Sequence, residues 1–192
     1  MVMRIDESHR SAELNEKRGE HWREKEHALL PFTCCFSGHR KIPAEDISKV
    51  KERLRVSIVS AIHEGYRYFG TGGALGFDTL VAQTILSLKK TYPQIRLILV
   101  LPCQKQTRGW KTTDVAVYEC IYRSADKIVY TSKEYYEGCM LKRNRHLIEH
   151  SSLCICYLTN EHSGTGYTIR YAKQRALRVI NLADESFFSG TE

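Results

Sequence analysis

The sequence predicts a doubly wound α/β fold: a single, mostly parallel sheet with helices on both of its faces. From residue 31 onward, apolar strand-like runs alternate with helix-like stretches. The first five strand-like runs end near residues 36, 69, 101, 131 and 158, a repeat of about 30 residues, which is the size of one βαβ unit. The runs are nearly continuous in apolar residues, as expected for parallel strands that helices cover on both faces.

Each element is placed by the period of its apolar residues. Continuous apolar runs give the predicted strands, which are residues 32–36, 66–69, 95–101, 127–131, 153–158 and 179–182. Between them apolar residues recur at helical spacing, for example Val50, Leu54 and Ile58 in the first helix and Leu80 and Leu88 in the second. The predicted helices are residues 47–64, 77–92, 114–124, 141–150 and 168–175.

The composition is that of an ordinary globular protein. The chain has 192 residues, of which 42% are hydrophobic and 27% are charged, and this length indicates one domain that can bury a core. The longest apolar run, residues 97–103, is far shorter than the ~20 residues of a membrane helix. The N-terminus lacks an apolar secretory segment, so we expect a cytoplasmic protein without a membrane partner.

The seven cysteines form no Cys-x-x-Cys pair and sit mostly inside apolar runs. An odd number of cysteines without an export signal indicates reduced, buried thiols rather than disulfides. Cys154 and Cys156 point to one face of a strand, but no histidine stands at a metal-ligand spacing from them. The sequence therefore predicts neither a metal site nor a cofactor.

Charge is distributed unevenly between a terminal extension and the body of the chain. Residues 1–30 are rich in charged side chains, and we expect a frayed helix or a disordered extension there. Residues 31–192 form the predicted domain. The net charge is +7, yet the first 31 residues hold six Lys and Arg against seven Asp and Glu. The positive surplus of the body favours an anionic ligand, although a solvated basic surface has the same composition.

Three glycine loops follow strand-like runs and open helix-like stretches. They are residues 37–40, 70–78 and 163–168. Such a junction presents unpaired backbone N–H groups at the positive end of a helix dipole, where a phosphate binds well. Ligands of open parallel sheets bind beyond the carboxyl ends of the strands. The three loops therefore predict a nucleotide-shaped pocket along one edge of the sheet.

The first loop offers Ser37, Gly38, His39 and Arg40 directly after the first strand. The Arg40 guanidinium can donate two hydrogen bonds to one phosphate, and His39 can donate to an anion or act as an acid near neutral pH. The alternative is a turn with a surface arginine and a capping histidine. We predict that these four residues contact the ligand.

The second loop fails the dinucleotide fingerprint, because Leu75 stands where the third glycine belongs and Gly76 comes one place late. We still predict ligand contacts from Gly72, Gly73 and Gly76, since glycine lets a backbone approach a ligand closely. Asp78 has two open interpretations. It accepts hydrogen bonds from sugar hydroxyls, or it stabilises the helix dipole from the first turn.

Further candidates follow the third, fourth and fifth strands. Arg143 and Asn144 fall in the first turn of a helix at the same sheet edge, which suits an anion. Trp110 is placed to stack on a base, although core or rim packing is the commoner role of an aromatic side chain. The remaining predicted ligand-binding residues are Gln106, Gly164, Thr165 and Thr168.

Together these motifs resemble the SLOG superfamily, the Rossmann-like group that includes Smf/DprA and the LOG proteins, and they are most similar to its YpsA-like bacterial branch. The resemblance spans residues 32–182. It rests on motifs within residues 34–40, 72–78, 101–110, 125–127, 136–145 and 164–172. The resemblance implies a Rossmann-like fold that binds a nucleotide or a nucleotide-derived ligand, with a signalling or stress role.

One departure from the family pattern bears on chemistry. LOG hydrolases carry a Pro-Gly-Gly-x-Gly-Thr-x-x-Glu loop whose glutamate assists cleavage of a glycosidic bond. Alignment of Gly164 and Thr165 with its Gly-Thr pair puts Thr168 at the glutamate position. A threonine hydroxyl is neither an acid nor a base near pH 7, so the sequence argues against LOG-type hydrolysis.

The sequence therefore predicts a cytoplasmic nucleotide sensor without a complete catalytic set, either a monomer or a homo-oligomer. Two alternatives stay open. The first is a nucleotide N-glycosidase that uses Asp78 or Glu137 as its carboxylate, with His39 as helper. The second is a DprA-like binder of single-stranded nucleic acid, which the positive surplus supports only weakly.

Overall fold

The apolar runs form the strands of one parallel sheet in the computed structural model, which describes residues 28–185. The strands are β1 (Thr33–Gly38), β2 (Tyr68–Thr71), β3 (Arg96–Leu101), β4 (Lys127–Tyr130), β5 (Leu153–Tyr157) and β6 (Arg178–Asn181). The helices that follow β1 are α1 (Ile47–His63), α2 (Phe77–Leu88), α3 (Thr112–Ser124), α4 (Cys139–Glu149) and α5 (Gly164–Gln174). Short 3₁₀ turns at Leu30–Phe32 and Ala44–Asp46 precede β1 and α1.

The strand order places a crevice beside the first strand. The order is β4-β3-β2-β1-β5-β6, and every neighbouring pair is parallel. The chain builds outward from β1 to β4 and then crosses to the other side of β1, so the order reverses between β1 and β5. In that pair Gly38 at the end of β1 lies opposite Tyr157 at the end of β5. Loops leaving these two strands diverge, and ligands of such sheets bind between them.

Two hydrophobic cores lie on opposite faces of the sheet. The larger core contains the aromatic side chains of Phe36, Phe69 and Phe77, all fully buried, together with apolar residues of α1 and α2. The smaller core packs Cys35 of β1 against apolar residues of α4 and α5. Adjacent residues of β1 therefore enter different cores, which confirms the predicted doubly wound sheet with helices on both faces.

The cysteines belong mostly to these cores. All seven are free, and six of them are buried, whereas Cys120 is exposed on α3. Burial raises the pKa of Cys34 and contributes, after a hydrogen bond with Cys35, to the raised pKa of Cys154. These thiols stay protonated at neutral pH, and a protonated buried thiol is a poor nucleophile. The predicted burial holds for every cysteine except Cys120.

Two boundaries differ from the prediction by four residues: α2 ends at Leu88 rather than at residue 92, and the other difference concerns the third glycine loop. The sequence predicts a helix from residue 168, but α5 begins at Gly164, so most of this loop is the first turn of the helix. The Ser163 hydroxyl accepts a hydrogen bond from the Gly166 amide at 3.0 Å and caps the helix. A Cβ on Gly166 would overlap the carbonyl of Glu161, so the chain enters α5 by a close approach that only glycine permits.

Two further expectations concern the ends of the chain and the membrane. Residues 1–27 of the predicted extension lie outside the described residues. Within residues 28–185, none of the helices combines the length and the apolar character that a bilayer crossing requires.

Candidate functional site

A cavity of about 280 Å³ lies at the carboxyl ends of β1 and β5, and we call it the inner cavity. Its walls come from the loop after β1, the start of α2, the first turns of α4 and the start of α5. Nine predicted ligand-binding residues line it: Ser37, Gly38, His39, Arg40, Asp78, Arg143, Asn144, Gly164 and Thr165. The structure therefore brings parts of all three glycine loops to one hollow, where parallel strands end.

Arg143 is the most deeply placed cation of the inner cavity. Its side chain comes from the first turns of α4, and the residue is only 6% exposed. One guanidinium nitrogen, Nη1, lies 3.6 Å from Oδ2 of Asp78, too far for a hydrogen bond. Both Nε and Nη1 of Arg143 are buried without a hydrogen-bond partner. Burial lowers the pKa of Arg143, while Asp78 counteracts it, and an arginine stays charged under such conditions.

Asp78 holds the second glycine loop against the start of α2. Its Oδ2 accepts a hydrogen bond from the Ala74 amide at 3.1 Å, and the residue is 7% exposed. Burial raises the pKa of Asp78, and the nearby Arg143 opposes that shift. A carboxylate engaged by a backbone amide and a buried cation orients its own loop. Of the two interpretations left open for Asp78, this geometry favours the carboxylate of the first helical turn.

Gly72 leaves room for a side chain of the protein itself. A Cβ at this position would overlap the Arg143 guanidinium and lie 2.8 Å from Oδ2 of Asp78. Gly72 was predicted to let its backbone approach a ligand. The structure places the Arg143 guanidinium there instead, and Gly72 does not line the inner cavity. The space beside this glycine is filled by Arg143, which reaches the cavity because no Cβ blocks it.

Gly73 and Gly76 likewise serve packing. Gly73 has φ +61°, and its carbonyl accepts a hydrogen bond from Nε2 of Gln106 at 2.7 Å. Gly76 has φ +74°, and a Cβ there would overlap the carbonyl of Arg40. Neither glycine lines the inner cavity. Their contribution is indirect, because they fix the loops that present Arg40 and Gln106.

His39 joins the loop after β1 to the loop after β5. Its Nε2 accepts hydrogen bonds from the amides of Thr159 at 3.1 Å and Asn160 at 3.3 Å. A ring nitrogen that accepts two amide hydrogens carries no proton, so the imidazole is neutral. Burial also lowers the pKa of His39. His39 therefore links the two loops through Nε2, and its proton lies on Nδ1, the one ring nitrogen that can still donate to an anion.

This arrangement predicts how acid destabilises the protein. The unfolded chain takes up a proton on His39 near the ordinary pKa of 6.5, whereas the folded chain takes it up only at lower pH. The unfolded state thus binds more protons as pH falls through this window, and stability is lost. We expect His39→Gln, whose amide oxygen can accept from the same amides, to lose less stability than the wild type between about pH 8 and about pH 5.

Urea unfolding of both proteins across this pH range measures the effect. The free-energy difference between wild type and His39→Gln is expected to shrink as pH falls. A difference that stays constant with pH would show that His39 keeps its ordinary pKa in the folded state.

A second cavity, of about 1040 Å³, adjoins the first, and we call it the outer cavity. It shares Arg40 and Met140 with the inner cavity. The predicted residues Gln106 and Trp110 line it, and both are held in place, Gln106 by the carbonyl of Gly73 and Trp110 by edge-to-face packing on Tyr118 at 5.6 Å. The aromatic face of Trp110 is thus presented by a fixed loop.

The sequence reasoning missed several residues that line the outer cavity. They are Cys103, Gln104, Lys105, Arg108, Lys133, Glu134 and Met140, whereas Tyr135, which also lines this cavity, was expected from the sequence as a second aromatic side chain able to stack on a base. Their signal was positional, since the segments after β3 and β4 both leave from strand carboxyl ends. Within residues 28–185, no group of three or more His, Cys, Asp or Glu side chains is arranged to hold a metal ion.

The family model described as YspA SLOG family matches residues 38–182, a span that includes the whole lining of the outer cavity and all of the inner cavity's lining except Phe36 and Ser37. The chain belongs to this SLOG family. It is 30% identical over 142 residues to the SPbeta prophage-derived protein YoqJ of Bacillus subtilis, covering 67% of this chain and 83% of that protein. It is 29% identical over 132 residues to the UPF0398 protein BH1768 of Halalkalibacterium halodurans, covering 67% and 70%.

The SLOG chain also resembles solved structures of DNA processing protein A. The protein from Helicobacter pylori, which binds single-stranded DNA, superposes with a TM-score of 0.56 at 18% identity, covering 84% of this chain and 74% of that one. The protein from Streptococcus pneumoniae superposes with a TM-score of 0.56 at 14% identity, covering 78% and 49%. Identities this low establish a shared fold, and they agree with the Rossmann-like architecture.

In this SLOG protein Thr168 lies outside the inner cavity. The residue is 1% exposed, and its hydroxyl donates to the Gly164 carbonyl at 2.9 Å while it accepts from Nδ2 of Asn144 at 2.8 Å. Thr168 therefore ties α5 to α4. This position does not support the predicted role of Thr168 as a ligand residue. Asn144 lines the inner cavity, and its Nδ2 donates to the Thr168 hydroxyl.

Proposed function

We propose that this SLOG protein binds a nucleotide or a nucleotide-derived small molecule, with a phosphate in the inner cavity. The observation that carries the proposal is the Arg143 guanidinium, which lines the inner cavity and is buried with Nε and Nη1 lacking a hydrogen-bond partner, although Nη1 lies 3.6 Å from Asp78. Buried donors without acceptors are costly and rare in folded proteins. A phosphate in the cavity supplies acceptor oxygens and a charge opposite to that of Arg143.

The neighbouring groups suit the same anion. Gly164 and Thr165 begin the 11-residue helix α5 and line the inner cavity, and amides of a first helical turn have no acceptor within the helix. The helix dipole adds a partial positive charge at this end. Arg40 lines the cavity from the opposite loop, and its charge influences both Asp78 and Arg143.

The outer cavity is the place proposed for the base. Trp110 offers a fixed aromatic face there, and Gln106 adds an amide at the junction with the second glycine loop. Membership of the SLOG family, together with the DprA-like fold, supports a nucleotide- or nucleic-acid-binding protein. The finer assignment to a small nucleotide rests on the small volume of the inner cavity, about 280 Å³, which fits one phosphate better than a continuous strand.

Binding rather than hydrolysis is proposed because the carboxylates of the N-glycosidase alternative are badly placed for it. Asp78 is engaged by the Ala74 amide and lies beside Arg143. Glu137 is exposed and does not belong to the lining of either cavity. His39 accepts two amide hydrogens, so the proposed helper has no proton on Nε2 to deliver.

A thermal-shift experiment tests the proposal. Purified protein is heated with each of the four nucleoside 5′-monophosphates and, separately, with the four parent nucleosides. A monophosphate at about 100 times its Kd is expected to raise Tm by about 5–10 °C. Equal behaviour of every nucleoside and its monophosphate would overturn the proposal, because the phosphate would then contribute nothing.

Two variants localise the effect. Arg40→Gln removes an exposed cation that lines the inner cavity, and we expect about tenfold weaker monophosphate binding by calorimetry. Lys142→Gln removes the same charge from α4 but on a separate groove, which Arg145 and Glu149 also line. The Lys142 variant is expected to bind like wild type. Equal weakening by both substitutions would indicate a general charge effect rather than a site.

Single-stranded nucleic acid is the second candidate ligand. DNA processing protein A of Helicobacter pylori binds single-stranded DNA, and the outer cavity of this chain carries four cations, Arg40, Lys105, Arg108 and Lys133. Affinity for a strand falls steeply with salt, because each phosphate contact releases counterions. Tight, salt-sensitive binding of an oligonucleotide, with no response to monophosphates, would favour this candidate over the first.

A further inference from the structure

We propose that the ligand carries two phosphates, one on each side of its nucleoside, and that the second phosphate binds the cations of the outer cavity. This inference rests on the proposed function. We name Lys105, Arg108 and Lys133 the outer cations. Together with Arg40, the outer cations give the lining of the outer cavity four positive charges, against the single carboxylate of Glu134. A concave surface with this charge excess attracts and holds an anion.

The outer cations come from two neighbouring loops that the sheet brings together. Lys105 and Arg108 lie in the loop after β3, where the Arg108 amide donates to the Lys105 carbonyl at 3.3 Å and closes a turn. Such a turn keeps residues three apart close to one another. Lys133 lies in the loop after β4, and strand β4 pairs directly with strand β3. The cluster is therefore a product of adjacent strand ends.

The cluster is held by buried contacts on its inner side. Gln106, next to Lys105 in sequence, is buried, and its side chain donates to the Gly73 carbonyl at 2.7 Å. Trp110 closes the same loop, with its amide donating to the Thr107 carbonyl at 3.0 Å. The loop that carries Lys105 and Arg108 is thus anchored between these two residues by Gln106 and after them by the packing of Trp110 on Tyr118, which limits the ordering cost of binding.

The sizes of the two cavities indicate an extended ligand. The inner cavity, at about 280 Å³, is smaller than the roughly 300–1,000 Å³ of sites that enclose whole drug-sized molecules. The outer cavity, at about 1040 Å³, lies at the upper end of that range. Since Arg40 and Met140 line both, one molecule can span them. A phosphate at Arg143, a nucleoside beside Trp110 and a phosphate at the outer cations occupy this path in sequence.

The ligand class that fits this path is a nucleoside with phosphates at both its 5′ and 3′ positions, either free or as part of a 5′-phosphorylated dinucleotide. The probes are therefore the 3′,5′-bisphosphates of adenosine, guanosine, cytidine and uridine, each compared with its 5′-monophosphate by calorimetry on the full chain. For the preferred base, we expect the bisphosphate to bind at least about tenfold more tightly. The ratio of bisphosphate affinity to monophosphate affinity should fall below about twofold in the double variant Arg108→Gln/Lys133→Gln. The control Lys142→Gln should leave that ratio unchanged.

The outcomes separate this inference from the proposed function. Equal affinities for bisphosphate and monophosphate overturn the second phosphate site and leave nucleotide binding in place. Absence of binding by all eight nucleotides overturns the proposed function and this inference with it. If a 5′-hydroxyl ten-residue oligothymidylate binds more tightly than every bisphosphate, the outer cations bind a nucleic-acid strand, and the inference is overturned in favour of that ligand.

Discussion

Replacement of Arg143 by methionine is expected to abolish nucleotide binding and to lower the free energy of unfolding by about 3 kcal/mol. Methionine fills much of the space of the arginine stem but removes the only cation that lies within 4 Å of the Asp78 carboxylate in the described part of the chain. Asp78 then remains buried with the Ala74 amide as its hydrogen-bond donor. Burial already raises the pKa of Asp78, so in the variant Asp78 can take up a proton and become neutral. The expected loss of stability is therefore near the lower end of the range for a broken buried ion pair.

A double variant separates the structural role of Arg143 from its binding role. Asn at position 78 can still accept from the Ala74 amide, and it needs no cation, so Arg143→Met/Asp78→Asn is expected to recover most of the lost stability. Nucleotide binding should remain absent in the double variant. Urea unfolding and calorimetry measure the two quantities. Wild-type affinity in either variant would show that Arg143 is not the phosphate ligand.

Gly76→Ala is expected to lower the free energy of unfolding by at least about 4 kcal/mol. Gly76 has φ +74° and ψ −115°, a conformation that residues with a Cβ rarely adopt. The added methyl group would also overlap the carbonyl of Arg40 and lie 2.8 Å from its Cα. These are backbone atoms, which cannot rotate away as a side chain can. The adjacent Phe77 amide donates to the His39 carbonyl at 3.1 Å, so movement of either the loop after β1 or the loop after β2 would break this hydrogen bond.

Gly109→Ala provides the matched control. Gly109 has a similar φ of +81°, but no atom lies within 4 Å of a Cβ built there. The variant therefore measures the backbone preference alone, and we expect a loss of about 1–2 kcal/mol. Urea unfolding of both variants compares a positive-φ glycine whose Cβ position meets backbone atoms with one whose Cβ position is open. A Gly76 variant as stable as the Gly109 variant would mean that the loop after β1 moves aside at little cost.

The fold and the meeting of the three glycine segments were predictable because they depend on regular patterns. Continuous apolar runs at an interval of about 30 residues indicate parallel strands, and the carboxyl ends of such strands share one edge of the sheet. Arg143 and Asn144 do line the inner cavity at that edge, but they lie in the second turn of α4 rather than in the first, because the helix begins at Cys139, two residues before the predicted start. The start of α5 was missed because Ser163 caps a helix that carries two glycines, which helix propensity disfavours.

The roles of individual residues were harder to predict, because they depend on contacts with residues from distant parts of the chain. Gly72 was expected to approach a ligand, but Arg143 of α4 fills the space beside it. His39 was expected to donate a proton, but the amides of Thr159 and Asn160 occupy its Nε2. Thr168 was expected to face the ligand, but it bonds Asn144 across two helices. None of these partners is visible in the local sequence.

The sequence by itself determined the layered architecture, the edge of the sheet where the candidate site lies and the residue types gathered there. It could do so because strand and helix periods are local properties of the chain, and parallel topology carries them to a common edge. Only the tertiary structure decided which of those groups remain available to a ligand. That outcome depends on burial and on competition for hydrogen bonds between segments, and at Arg143 the packing leaves two buried donors without a hydrogen-bond partner.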